Sequence, residues 1–365
     1  MTFRERHLAT FERKPLDRIC WQPRLEHWYN VNKRQGTLPA RYRDMTRLEV
    51  YDDLGCSVRT YSEFNRCLRG TNDRRIKTDR RETPNRIYTT WTTPAGEVSA
   101  VEYRTEEAQA RGEFPVKRVE DLRVIEYMLR GREWSWDEEA YQRGLAEAGD
   151  RGAPTFWVPR VNLQRCFIEY IGFENTIYML HEHPREMERF IETMNETDDG
   201  AFDVVCGCPV RIINFGDNVH SDMLSPPLFR RWVLPYQRRR ADQLHEAGKF
   251  CHPHWDGYYK PLLPYVHELG VDGYEALTPE PMGDVSLEET KEALGDLILI
   301  DGIPATDFLP TVGEEEFVGR VRRILELFSP NLVLGISDEI SPPGQIEKVR
   351  LVSEIVAAFE PPGRA

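Results

Sequence analysis

The sequence predicts an α/β protein built as a (β/α)8 TIM barrel, with an N-terminal extension that carries a β-hairpin. Three observations predict it. From about residue 154 onward, short β-branched apolar runs alternate with helical stretches, the pattern of a parallel sheet. A length of 365 residues suits a single barrel. No G-x-G-x-x-G run follows any strand candidate, which counts against the competing doubly wound dinucleotide fold.

One domain is expected, with residues 1–150 as extension and hairpin and 151–360 as the main βα repeats. The first hundred residues are polar and Arg-rich, broken by the short apolar run Ile19-Cys20-Trp21. A hairpin is predicted over 86–104: Arg86 to Trp91 is β-branched and aromatic, Pro94-Ala95-Gly96-Glu97 is turn chemistry, and Val98 to Tyr103 resumes the strand. Residues 119–147 read as helices, including the segment from Glu133 to Tyr141. Strands follow at Thr155–Val158, Val210–Phe215, Lys249–His252, Gly270–Glu275, Leu297–Ile300 and Leu332–Gly335. Between them the pattern predicts helices over 163–171, 184–198, Tyr258–Leu269, Ser286–Leu294 and 314–328. A long helix is opened by Ser225-Pro226-Pro227, a cap residue followed by prolines in the first turn.

Composition narrows the function classes. A net charge of −13 argues against nucleic acid as a partner, since phosphate binding needs a cationic face. No run approaches the roughly 20 apolar residues that span a bilayer, and the mixed-charge start is not a signal peptide. Seven scattered cysteines form no disulfide framework, so a reducing cytoplasm is expected.

In a barrel the chemistry sits at the carboxyl ends of the strands. The polar residues there are Asn214 with Asp217 and His220, then His252, His254 and Asp256, then Glu275, Asp301, and Asp338 with Glu339. His252-Pro253-His254 is the sharpest feature, because residues i and i+2 of an extended segment point to one side. Two imidazoles plus carboxylates suit Zn²⁺ or another divalent metal; Glu275 and Asp338 are the expected further ligands. The competing reading has the histidines hydrogen-bonding substrate. Asp217, Glu275 and His252 are the expected catalytic residues, although capping the next helix would equally explain Asp217. Asn214, His220, Trp255 and Tyr274 are expected to line the substrate pocket, while a turn role is assigned to Asp301.

At these residues the chain resembles the uroporphyrinogen decarboxylase superfamily, and within it the metal-dependent, corrinoid-linked methyltransferase branch. The resemblance runs from about Thr155 to Ile355, and is carried by Asn214-Phe215-Gly216-Asp217-Asn218, Leu224 to Phe229, Pro235-Tyr236 and His252 to Gly257. Gly270 to Gly273, Thr278 to Asp284, and Gly335 to Pro343 complete it. It implies a (β/α)8 barrel holding zinc through an H-x-C pair and a later cysteine. Here His254 stands where the first cysteine is expected and Asp338 falls near the place of the later one. Such an N/O ligand set is more Lewis-acidic than a thiolate set. It implies a demethylase-like transfer from a small O- or N-methylated substrate to a corrinoid carried by a separate protein. A homodimer is left open. The alternative is a metal-free decarboxylase acting on a tetrapyrrole or other carboxylate. Its arginine-rich motif is reduced here to Arg24 beside Glu26.

Overall fold

Short β-branched runs become short parallel strands, and the computed structural model of the chain describes residues 1–105 and 108–363. The strands are β1 Cys20–Trp21, β2 Leu68–Asn72, β3 Lys77–Glu82, β4 Arg86–Thr93, β5 Gly96–Arg104, β6 Gln109–Glu113 and β7 Arg132–Trp136. They continue as β8 Thr155–Trp157, β9 Ile212–Asn214, β10 Phe250–His252, β11 Gly273–Glu275, β12 Ile298–Pro304 and β13 Leu332–Ser337. Two parallel sheets, β8-β9-β10 and β11-β12-β13-β1, make up the α/β body. They are joined by the bridge His254–Glu275 and by Asp272 N donating to Cys251 O at 2.9 Å. At the other side, Ser57 N donates to Trp21 O and Val58 N to Arg151 O, each at 2.8 Å.

Alternation along these strands sorts their side chains. Cys20, Ile212, Ile298, Ile300 and Val333 form one apolar cluster with Phe11 and Ala153. Their outward neighbours Trp21, Ile213, Cys251, Leu299 and Leu334 join the larger core under the helices. The first helix, α1 (Phe3–Phe11), closes off the inner cluster. A capping box between Thr2 and Glu5 starts it, and Arg6, His7, Thr10 and Phe11 are buried. Phe11 lies 5.7 Å from the Phe250 ring and 6.0 Å from the His252 ring, centroid to centroid.

The predicted hairpin forms as β4 and β5, paired from Arg86↔Tyr103 to Thr93↔Gly96. It is the middle of a four-stranded antiparallel sheet, β3-β4-β5-β6. Residues 132–136, expected to be helical, instead form β7 and pair antiparallel with β2. Trp134 and Trp136 on alternate positions suit that pleat better than a helix. The helix expected over Tyr258–Leu269 is a 3-10 turn at Lys260–Tyr265, interrupted by Pro264. The long helix after Ser225 begins at Pro226, passes through a π-helical turn at Phe229–Val233 and continues as Leu234–Glu246.

One glycine ties the sheet to the chemistry. A Cβ on Gly335 would stand 2.2 Å from Asp301 Oδ1 and 3.1 Å from an Arg59 nitrogen. Gly335→Ala is therefore expected to lower stability by about 1–3 kcal/mol, read as a lower urea midpoint with an unchanged slope.

Candidate active site

Above the apolar cluster the inner face turns polar. Asn214, His252 and Glu275 end three neighbouring strands; Asn214 and His252 are register partners, and His254, two residues after His252, is bridged to Glu275. Glu275 is the hub. Its Oε1 accepts from Arg59 at 2.5 Å and from the Tyr61 hydroxyl at 2.8 Å. Its Oε2 accepts from the Asn214 amide and pairs with His254 Nδ1 at 2.9 Å. Burial opposes ionisation of Glu275, but the Arg59 charge and the His254 contact hold it well below the usual carboxylate range.

Arg59 forks between two carboxylates. Besides Glu275 it donates to Asp301 Oδ1 at 2.5 Å and Oδ2 at 3.1 Å. By strand alternation Asp301 would face outward, since Ile300 points in. A left-handed backbone at Asp301 (φ 87°), followed by Gly302 (φ 100°), turns its carboxylate inward. Burial, opposed by Arg59, leaves the Asp301 pKa raised. Asp301 is thus a buried ion-pair partner, correcting the turn role expected from the sequence.

The two histidines differ. His254 Nδ1 is engaged with Glu275, and its Nε2 is buried with no partner. His252 has an unpartnered buried Nδ1, and burial pushes its pKa down to about 4, so the ring is neutral at pH 7. Beneath it, His7 of α1 is 3.4 Å from the Gln22 amide, and burial lowers its pKa to about 3. Neutral imidazoles with a free ring nitrogen are the form that binds a metal ion.

The other expected site residues lie elsewhere. Asp338 pairs with Arg24, which also reaches Glu339, and the Asp338 side chain is 42% exposed. It is turned to the arginine, away from a shared cluster with the histidines. The metal-donor group of three among the described residues is a different one, His245, Cys251 and Asp272. Trp255 and Tyr274 are fully buried behind the strands, 4.9 Å apart edge to face, and the Tyr274 hydroxyl donates to Val266 O at 2.6 Å. They are packing, not pocket wall. His220 is half-buried on the loop beside Gly257.

Asp217 is buried, accepting from Val161 N at 2.7 Å and from the Gln237 amide. It tethers two neighbouring segments and does not touch Glu275. Burial raises its pKa from 3.8 to about 7. A raised carboxyl pKa means that ionisation opposes folding, with no cost below the unfolded pKa and a growing cost up to the folded one. Asp217→Asn should therefore gain stability relative to the parent between about pH 4 and pH 7, by up to about 4 kcal/mol. Urea midpoints of both proteins at about pH 4.5 and about pH 7.5 check the sign.

Arg59, Tyr61, Gln22 and His7 escaped sequence reasoning. The run Ser57-Val58-Arg59-Thr60 is too short and polar to read as a strand. Asp301 carried a signal, since a charge inside an apolar run needs a buried partner. Tyr61 also packs at a tilt against Trp157, centroids 4.8 Å apart, and Trp157 borders a hollow of about 280 Å³ whose lining includes Arg160, Glu169 and Tyr170.

The family model for uroporphyrinogen decarboxylase (URO-D) matches residues 168–359. No curated protein matches the chain. Among solved structures, a methyltransferase from Methanosarcina mazei superposes with a TM-score of 0.60 at 13% identity, over 98% of this chain and 99% of that one. A B12-independent methionine synthase from Shewanella sp. W3-18-1 reaches a TM-score of 0.42 at 14% identity, over 88% and 91%. At 13% identity the first of these is a likeness of fold. The family match spans more than half of the 365 residues, and the chain belongs to the uroporphyrinogen decarboxylase family.

Proposed function

We propose that the protein is a metal-dependent methyltransferase that moves a methyl group between a small O- or N-methylated substrate and a corrinoid carried by a separate protein. In this reading the seven parallel strands and the segment at Ser57–Val58 close as an eight-stranded barrel around the Glu275 hub. The observation that carries it is His254: Nδ1 held by the Glu275 carboxylate, Nε2 buried and unpartnered. Histidines that ligate metals donate their other ring nitrogen to a carboxylate in this way. His252, whose ring is neutral, offers the second free nitrogen. His252 and His254 would hold the ion, and Glu275, with both oxygens engaged, orients His254. Asp338, occupied by Arg24, is the weakest member of the expected ligand set.

A divalent metal there would supply Lewis acidity to the oxygen or nitrogen that bears the methyl group. The chain's own part is orientation and shielding. Asn214 and Tyr61 fix the Glu275 carboxylate from two sides, and Arg59 keeps it ionised. The solved relative in fold from M. mazei is named a methyltransferase, which agrees with this reading. The decarboxylase alternative needs cations free to grip a polyanion. Arg24, Arg47 and Arg59 are each matched by two internal carboxylates.

Elemental analysis of the purified protein, paired with transfer of methyl groups from aryl methyl ethers or methylamines to Co(I) corrinoid, tests the proposal. Metal-dependent methylation of the corrinoid is expected. Activity of a metal-stripped protein, or carbon dioxide release from a tetrapyrrole, would overturn it.

A further inference from the structure

A second set of donor atoms lies outside the site described above. His245 is in the last turn of the helix Leu234–Glu246, Cys251 is in β10, and Asp272 immediately precedes β11. His245 Nε2 is 2.9 Å from Asp272 Oδ2 and 3.9 Å from Cys251 Sγ, and all three donor atoms lie within 4.8 Å of one another. Ligand atoms on a zinc tetrahedron with bonds of ~2.0–2.3 Å stand roughly 3.3–3.8 Å apart. The His245–Asp272 and His245–Cys251 separations differ from that by a few tenths of an ångström, within reach of small rotations.

The surroundings favour a cation. Asp272 is already aimed, because its Oδ2 accepts from Cys251 N at 2.8 Å while standing 2.9 Å from His245 Nε2. Asp242 adds negative charge near both His245 and Cys251, while its neighbour Arg238 is paired with it. Arg13 is the other nearby cation and is drawn to Asp272 and Asp296. The Cys251 thiol is fully buried, whereas the side chains of His245 and Asp272 are 36% and 20% exposed. An ion can therefore reach the cluster from the His245 side, and water can complete its coordination.

We propose that His245, Cys251 and Asp272 form a structural site for Zn²⁺ or a similar divalent ion, with one N, one S and one O donor. Binding forms a metal–sulfur bond at Cys251, and the thiol proton passes to solvent. The ion would clip the end of the helix Leu234–Glu246 to β10 and β11. It would thereby brace the strand whose next residue is His252, without touching that site. The three ligands come from three separate elements, so an ion would add to the hydrogen bonds that already join His245 and Cys251 to Asp272.

Cobalt(II) titration of the full-length, metal-stripped protein tests this independently of the proposed function, since the residues around Glu275 include no thiolate donor. The expected result is an intense, saturable sulfur-to-cobalt charge-transfer absorption, reaching its plateau with one equivalent in His252→Ala. It should survive in His252→Ala and in a Cys206→Ser, Cys208→Ser double variant, and be lost in Cys251→Ser. His245→Gln, at a half-exposed position and with the fold intact, should weaken cobalt binding at least tenfold even if Cys251→Ser fails to fold. Absence of that absorption in the parent protein, its persistence in Cys251→Ser, or unchanged affinity in His245→Gln would overturn the proposal.

Discussion

Replacing Arg59 by alanine is expected to cost about 3–5 kcal/mol of folding stability at neutral pH, because it leaves Glu275 and Asp301 buried without their shared cation. The loss should shrink as pH falls. Without the guanidinium both carboxylates would sit above their usual pKa, and protonating them removes the buried charge. Urea unfolding of the parent and Arg59→Ala, at about pH 5 and about pH 8, measures both effects. Asp301→Asn should do less harm, since the Arg59–Glu275 pair survives it. A loss below about 1 kcal/mol for Arg59→Ala would mean that water reaches these charges in solution.

The second large effect concerns metal retention. His254→Ala should lower the bound metal at the proposed Glu275-centred site to a small fraction of the parent's and abolish methyl transfer. Glu275→Gln, which keeps the shape but weakens the hold on His254, should reduce affinity by about 10–100-fold. Asp338→Asn should leave it unchanged, because Asp338 belongs to Arg24. Elemental analysis and competition with a chelator order the three variants. If Asp338→Asn lost as much metal as His254→Ala, the carboxylate would have to leave Arg24 and join the histidines.

Much of the fold was legible because short apolar strands carry their own signal. The predicted Val210–Phe215 contains β9, and the predicted hairpin matches β4 and β5 closely. What failed was pairing at a distance. Nothing local to Arg132–Trp136 announces that Leu68–Asn72 will lie beside it. In the site, the histidine pair and Glu275 were legible as polar residues ending strands, and His254 does meet Glu275. Tyr274 was misread although period-two alternation already placed it opposite Glu275. The arginine that organises the centre was invisible, since Ser57-Val58-Arg59-Thr60 has neither periodicity nor length. Asp301 needed knowledge of a local backbone reversal that no pattern of residue types encodes.

The pairing of β1 with β13 bears on how the chain is made. Cys20 and Val333 are register partners, so the strand at Cys20–Trp21 must wait during synthesis for one made some three hundred residues later. Until then Trp21 and the underside of α1 face water or a chaperone, and Gln22 lacks the hydrogen bond from its N–H to Leu334 O. Nascent chains stalled before Leu332 should accordingly be open to protease around residues 19–22, and released full-length chains protected there.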